Sequence, residues 1–125
     1  MGRPAREGRI NMANPVVHFE IRSEDPDKTR AFFGDLFGWT YPEGAFPGYS
    51  YVETGAQTIP GGIGPLQGGN EMVTFFVGVE DVDASLAAAK KLGGRVVQEP
   101  VGVPGVKFAL IADPQGHVVG LAQQG

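Results

Sequence analysis

Apolar and polar side chains alternate from Val16 to Ile21, with Val17, Phe19 and Ile21 on one side and His18, Glu20 and Arg22 on the other. That period of two marks a half-buried β-strand. The pattern then changes to a helical one. Asp25 is placed to cap a helix whose first position is Pro26, where a missing N–H costs nothing. Phe32, Phe33, Leu36 and Phe37 fall on one predicted helical face, and Gly38 supplies the stop. The same succession returns later. Met72 to Val79 reads as a strand, with Val73, Phe75 and Val77 facing the core and Thr74, Phe76 and Gly78 facing the other way. Asp81 or Asp83 caps the next helix, Val82, Leu86, Ala89 and Leu92 form its stripe, and Gly93-Gly94 end it. Shorter strand-like pieces follow each helix: Tyr49 to Thr54 and Gln57 to Gly64, then Arg95 to Glu99, Val106 to Ala112 and Val118 to Ala122. Asp113-Pro114-Gln115-Gly116 has the residues of a tight turn at their proper places.

The recurrence is a duplication. Shifting the chain by 56 positions sets residues 17 to 38 on 73 to 94 with eight identities in 22 places. Composition alone gives about one or two. Each unit therefore reads as β-α-β-β-β, and the chain as two units in tandem, about 15–66 and about 72–124, with a short linker near Gln67 to Glu71. The predicted fold is α+β: a curved, mixed, eight-stranded sheet around a cleft, with the helices on its outer face. Equivalent positions of a duplicated unit meet at a pseudo-two-fold interface. There the two copies disagree, with His18 in one and Thr74 in the other.

Composition narrows the function classes. A chain of 125 residues, 42% of them hydrophobic, is one domain with a real core. It has no cysteine, which excludes disulfides and thiolate metal sites. No apolar run reaches the roughly 18 residues of a membrane span, so a cytoplasmic protein is expected. Met1 to Asn14 reads as a flexible tail carrying Arg3, Arg6 and Arg9, with Met12 as an alternative start and the ordered domain beginning near Pro15. From residue 15 onward, 13 acidic residues against 7 basic ones leave a net charge of −6. An acidic domain argues against nucleic acid as a partner, because phosphates need a basic face. The run Gly61-Gly62-Ile63-Gly64 is not a phosphate loop, since no helix and no Lys-Ser/Thr follow it.

Val17-His18-Phe19-Glu20-Ile21, with Asp25-Pro26, Phe32-Phe33 and Leu36-Phe37-Gly38-Trp39, resembles the opening module of the vicinal oxygen chelate superfamily. That group includes glyoxalase I, extradiol dioxygenases, fosfomycin-resistance enzymes and bleomycin-resistance proteins. Phe76-Val77, Val82-Asp83, Leu92-Gly93-Gly94 and Asp113-Pro114-Gln115-Gly116 through Leu121 resemble its second module. The resemblance implies paired βαβββ modules, a U-shaped cleft and a homodimer. It also implies metal ligands on the first and last strand of each module in metal-bearing members. Those positions fall on His18, on Thr74 where such members carry His, on Gly120 where a Glu is expected, and near Ile63 or Gly64. One position of four keeps a ligand, whereas catalytic zinc takes about three protein ligands.

The expected protein is thus metal-free and binds a small organic molecule, by sequestration or sensing, in an apolar cleft holding a few polar groups. The candidate ligand-binding residues are His18, Glu20, Trp39, Tyr51, Thr74, Phe76 and Gly120, and Tyr49 is a further ring able to stack. Trp39 has an equal alternative role in closing the core behind the first helix. The rival reading is a lyase, isomerase or dioxygenase acting on a vicinal-oxygen substrate. It would use an atypical divalent-metal site or His18 and Glu20 as catalytic acid and base. A third is an interaction module with a vestigial cleft.

Overall fold

A computed structural model describes residues 13–42, 47–66, 68–103 and 105–124. Most of the expected tail, the alternative start at Met12 and linker residue Gln67 lie outside the described residues. The elements run β1 (Val16–Ser23), α1 (Pro26–Phe37), β2 (Ser50–Val52), β3 (Gly61–Pro65), β4 (Met72–Gly78), α2 (Val82–Lys91), β5 (Arg95–Val103), β6 (Val106–Ala112) and β7 (Val118–Gln124). They form one mixed sheet in the order β2-β3-β1-β4-β7-β6-β5.

The duplication appears in the strand pairing. β1 runs parallel to β3, as β4 does to β7, and β1 meets β4 antiparallel at the centre. Phe19 pairs with Phe75, its own equivalent in the second copy, so the pseudo-two-fold axis passes through that pair. His18 consequently lies opposite Phe76, and Glu20 opposite Thr74.

Both helices start as expected, with the Asp25 carboxylate accepting from the Lys28 amide and the Asp81 carboxylate from the Ala84 amide, each at 3.1 Å. Gly38 ends α1 with φ at 76°, a left-handed conformation that favours glycine. α2 covers β6 and β7 through Val82 and Leu86 against Ala109 and Leu121. α1 covers the other half, where Ile21, Val52 and Ile63 pack with Phe19, Phe33, Trp39 and Tyr41.

Several expectations need correction. Among the described residues there are seven strands, not eight. The eighth is reduced to a bridge between Thr40 and Glu53, extended by Tyr51 N–H donating to the Pro42 carbonyl. Pro42 has no N–H to continue that ladder. The expected strand over Gln57 to Gly64 shrinks to β3, because residues 55–60 turn, with Gln57 at φ 61°. The apolar stripe of α1 is not its buried face. Phe33 is half-buried, whereas Phe32, Leu36 and Phe37 are exposed. The inward places go instead to Thr29, Arg30 and Gly34, and the Arg30 guanidinium reaches the Gly48 and Ile63 carbonyls at 3.3 and 3.4 Å. Leu92 is exposed at the end of α2. Val73 (79% exposed) and Phe75 lie on the outer face where neither helix covers them, not in the core. A register shift between Val16 and His18 carries Val17 away from the α1 cluster, onto Phe76, Leu110 and Ala122.

Candidate functional site

The sheet face turned away from the helices carries the candidate chemistry. Alternation along β1 sends His18, Glu20 and Arg22 there. Pairing with β4 brings Thr74 and Phe76 alongside, and β7 adds Gly120 opposite Phe76. Glu20 is the centre of the group and is 3% exposed. Its Oε1 accepts from the Tyr49 hydroxyl at 2.9 Å and lies 2.9 Å from His18 Nε2. Its Oε2 lies 2.6 Å from Arg22 Nε, an ion pair set off the hydrogen-bond axis. Arg22 also donates to the Pro65 carbonyl at 3.3 Å and stands over the Tyr49 ring, 5.3 Å from its centre. A buried carboxylate is tolerable only when it is paired and hydrogen-bonded, and here it is both.

Proton directions follow from the donor inventory. Glu20 only accepts, and the single Tyr49 proton goes to it, so His18 Nε2 carries a hydrogen toward Glu20 Oε1. Burial first, then the charge of Glu20 and the hydrogen bond to it, push the Tyr49 phenol far above its ordinary range. Tyr49 is therefore a neutral donor at any working pH.

Glycines explain how a tyrosine reaches this place. Tyr49 lies across β3, and a Cβ built on Gly62 would overlap its hydroxyl oxygen, while one on Gly64 would press on its ring. The second module repeats the device, since a Cβ on Gly120 would overlap the ring of Phe76. Glycine is required at Gly62 and Gly120 because rings occupy the space where side chains would begin. The register makes Gly62, paired with Glu20, the counterpart of Gly120, paired with Phe76. If Gly120 marks one ligand position of the resemblance, its counterpart by register is Gly62, next to the expected Ile63 or Gly64. Ile63 points the other way, into the α1 core.

The rest of this face is mostly apolar and closely packed. The His18 ring meets Phe76 edge-on at 5.6 Å, and Phe76 meets Phe108 at 6.0 Å, with Leu110 and Ala122 packed alongside. Thr74 is buried, and its hydroxyl donates to the Val118 carbonyl at 2.6 Å. Tyr51 is exposed and stands edge-on to Tyr49 at 5.7 Å. Trp39 is not brought to this group. It packs with Phe19, Phe33 and Phe37 on the helix side, where closure of the α1 core uses its area. Two open hollows flank α1, one beside Trp39 and Tyr41 and one beside Phe33 and Val73, and neither reaches His18 or Glu20.

Arg22 and Tyr49 are central here; the sequence placed Arg22 on this face and offered Tyr49 as a stacking ring, but pointed to neither as a partner of Glu20. The glycines at alternate positions 62 and 64 of a strand were the available signal, since that spacing clears one face for a ring.

A divalent metal of the superfamily type does not fit these residues. His18 Nε2 is held by Glu20, Thr74 is turned to a carbonyl, and both glycine positions are covered by rings. Among the described residues, no three His, Asp or Glu side chains converge as a ligand set. Nor is any helix among them long and apolar enough to cross a membrane.

Comparison with known proteins agrees with this architecture. The family model described as Glyoxalase-like domain matches residues 18–122. A probable lactoylglutathione lyase of Synechocystis is 30% identical over 86% of this chain and 94% of its own length. A probable lactoylglutathione lyase of Vibrio cholerae is 28% identical over 86% and 89%. In structure, a glyoxalase/bleomycin resistance protein/dioxygenase superfamily member from Vibrio splendidus superposes with a TM-score of 0.63 at 16% identity, covering 90% of this chain and all of that one.

Proposed function

This chain belongs to the glyoxalase-like domain family, and from that premise we propose that it binds a small organic molecule on its inner face without a metal centre. One observation carries the reading. Gly120, where the superfamily resemblance leads one to expect a Glu, and Gly62, its counterpart by register, carry no side chain, and each is covered by an aromatic ring of the chain itself. What remains is an apolar wall of Phe76, Phe108 and Leu110 beside a polar group of His18, Glu20, Arg22 and Tyr49. A mainly apolar surface with a few convergent polar groups is the usual makeup of a small-molecule site.

The test is elemental analysis of protein purified without an affinity tag, together with thermal shift across a panel of aromatic metabolites and drugs. The expected result is less than about one-tenth of a divalent ion per chain, an unfolding temperature indifferent to chelator, and stabilisation by members of the panel. A stoichiometric ion that is lost in His18→Ala would overturn the reading.

A second reading has its own support. His18 is oriented through Nε2 by a buried carboxylate, the arrangement in which a histidine serves as a base through its other nitrogen. Two curated relatives are named lactoylglutathione lyases. Metal-independent isomerisation of a substrate, abolished in His18→Gln but with binding retained, would establish that alternative.

A further inference from the structure

One polar atom on the inner face belongs to none of these interactions. The side-chain nitrogen of Gln98 is buried and has no hydrogen-bond partner among the described residues. An unmet buried donor is costly, and native structures keep few of them. Its position is unusual as well. Gln98 pairs with Leu110 between two register shifts, one separating it from Val96 and one separating it from Val101. A bulge on each side singles out this residue of an edge strand, and bulges recur next to binding sites, where they re-aim a side chain.

The register then ties Gln98 to the group around Glu20. Gln98 pairs with Leu110, Leu110 with Gly120, Gly120 with Phe76 and Phe76 with His18. That is one continuous cross-strand row over five strands, polar at both ends and apolar between. With strands about 4.8 Å apart, its contour is about 19 Å. The charged end is already satisfied internally. Glu20 stands beside the row, two residues on from His18, with its carboxylate taken up by Arg22, Tyr49 and His18, and no acidic side chain belongs to the row itself. Nothing on it asks for a cation, whereas Gln98 asks for an acceptor.

We infer that Gln98 is the polar anchor of this face, and that the ligand is a flat, uncharged, largely apolar molecule presenting a carbonyl-type oxygen to its amide. The inference rests on the binding role proposed above and names the ligand class. In the ligand-free arrangement the nitrogen is sealed. Presenting it requires a turn of the terminal amide about one sp³–sp² bond, whose torsion profile is broad.

Ligand-observed NMR titration with three probes tests this: 2-acetylnaphthalene, 2-ethylnaphthalene and 2-naphthylmethylammonium. The expected result is that the acetyl compound binds about tenfold more tightly than the ethyl compound, the worth of one net hydrogen bond, and that the ammonium compound binds more weakly than the acetyl one. In Gln98→Leu, and independently in Gln98→Glu, which keeps the shape and replaces the donor with an acceptor, the ratio should fall to about one while ethyl affinity holds. A ratio that persists in both folded variants, equal affinities in the unaltered protein, or tightest binding of the ammonium overturns the role of Gln98. Failure of both uncharged probes to bind the folded protein overturns instead the binding role of the face.

Discussion

Glu20 holds a charge where water hardly reaches, and its neighbours determine what that costs. Three partners surround two oxygens, so removing any one exposes an imbalance the interior cannot screen. Tyr49→Phe keeps the ring over Gly62 and deletes one donor, and it should lower stability by about 1–2 kcal/mol in denaturant titration. Arg22→Ala leaves the carboxylate without its cation and should cost more, about 3–5 kcal/mol. The Tyr49 phenol also sets a direction with pH. Its folded-state affinity for the proton is raised above the ordinary value of 10.0, so its contribution is full below about pH 10 and is lost above it, as the unfolded chain sheds protons the folded one retains. Absorbance of phenolate near 295 nm should therefore rise for this residue only together with unfolding. Tyr49→Phe should remove that late, unfolding-linked part of the titration.

At the scale of elements, caps and turns are the most dependable links from sequence to structure because their chemistry is local. Asp25 and Asp81 sit 56 positions apart and make the same bond to the amide three residues on. The Asp113 turn closes as its residues require, with the carboxylate accepting from the Gln115 and His117 amides at 2.9 and 2.8 Å. The His117 amide above all, then its side chain, hold the Asp113 carboxyl below its usual range. Its contribution is present above the unfolded value of 3.8 and is lost as pH falls through the folded one. Asp113→Asn should thus narrow the stability gap to the unaltered protein as pH is lowered from 6 toward 3, and an unchanged gap would count against this role. The rotation of α1 was not legible in the same way. A stripe of Phe32, Leu36 and Phe37 marks a helical face but not what it faces. Arg30 takes the inward side through carbonyls contributed by Gly48 and Ile63, remote in sequence. Strand alternation predicted which residues of β1 share a face from His18 onward, but not the register shift that takes Val17 to the inner side. It gave no sign that Tyr49 would cross β3 to meet them, because that contact spans 29 positions.

Across the whole molecule, the duplication preserved a frame and let its inner surface diverge. The axis through Phe19 and Phe75 makes Glu20 and Phe76 equivalents, so a buried charge on one side answers a ring on the other. Each faces a glycine on the neighbouring parallel strand, and each glycine is covered by an aromatic side chain. The modules therefore solve one packing problem with different residues, and the solution can be measured as a coupling. Gly120→Ala should destabilise the chain by about 1–3 kcal/mol, because the new methyl group meets the Phe76 ring in a filled layer. Phe76→Ala alone opens a cavity and should cost about 3–5 kcal/mol. If the ring is what forbids a side chain at 120, the double variant should cost less than the sum of the two by most of the Gly120→Ala penalty. Additive losses would instead assign the glycine to backbone geometry. The seal over the inner face would then have to be explained without the glycines that now make room for it.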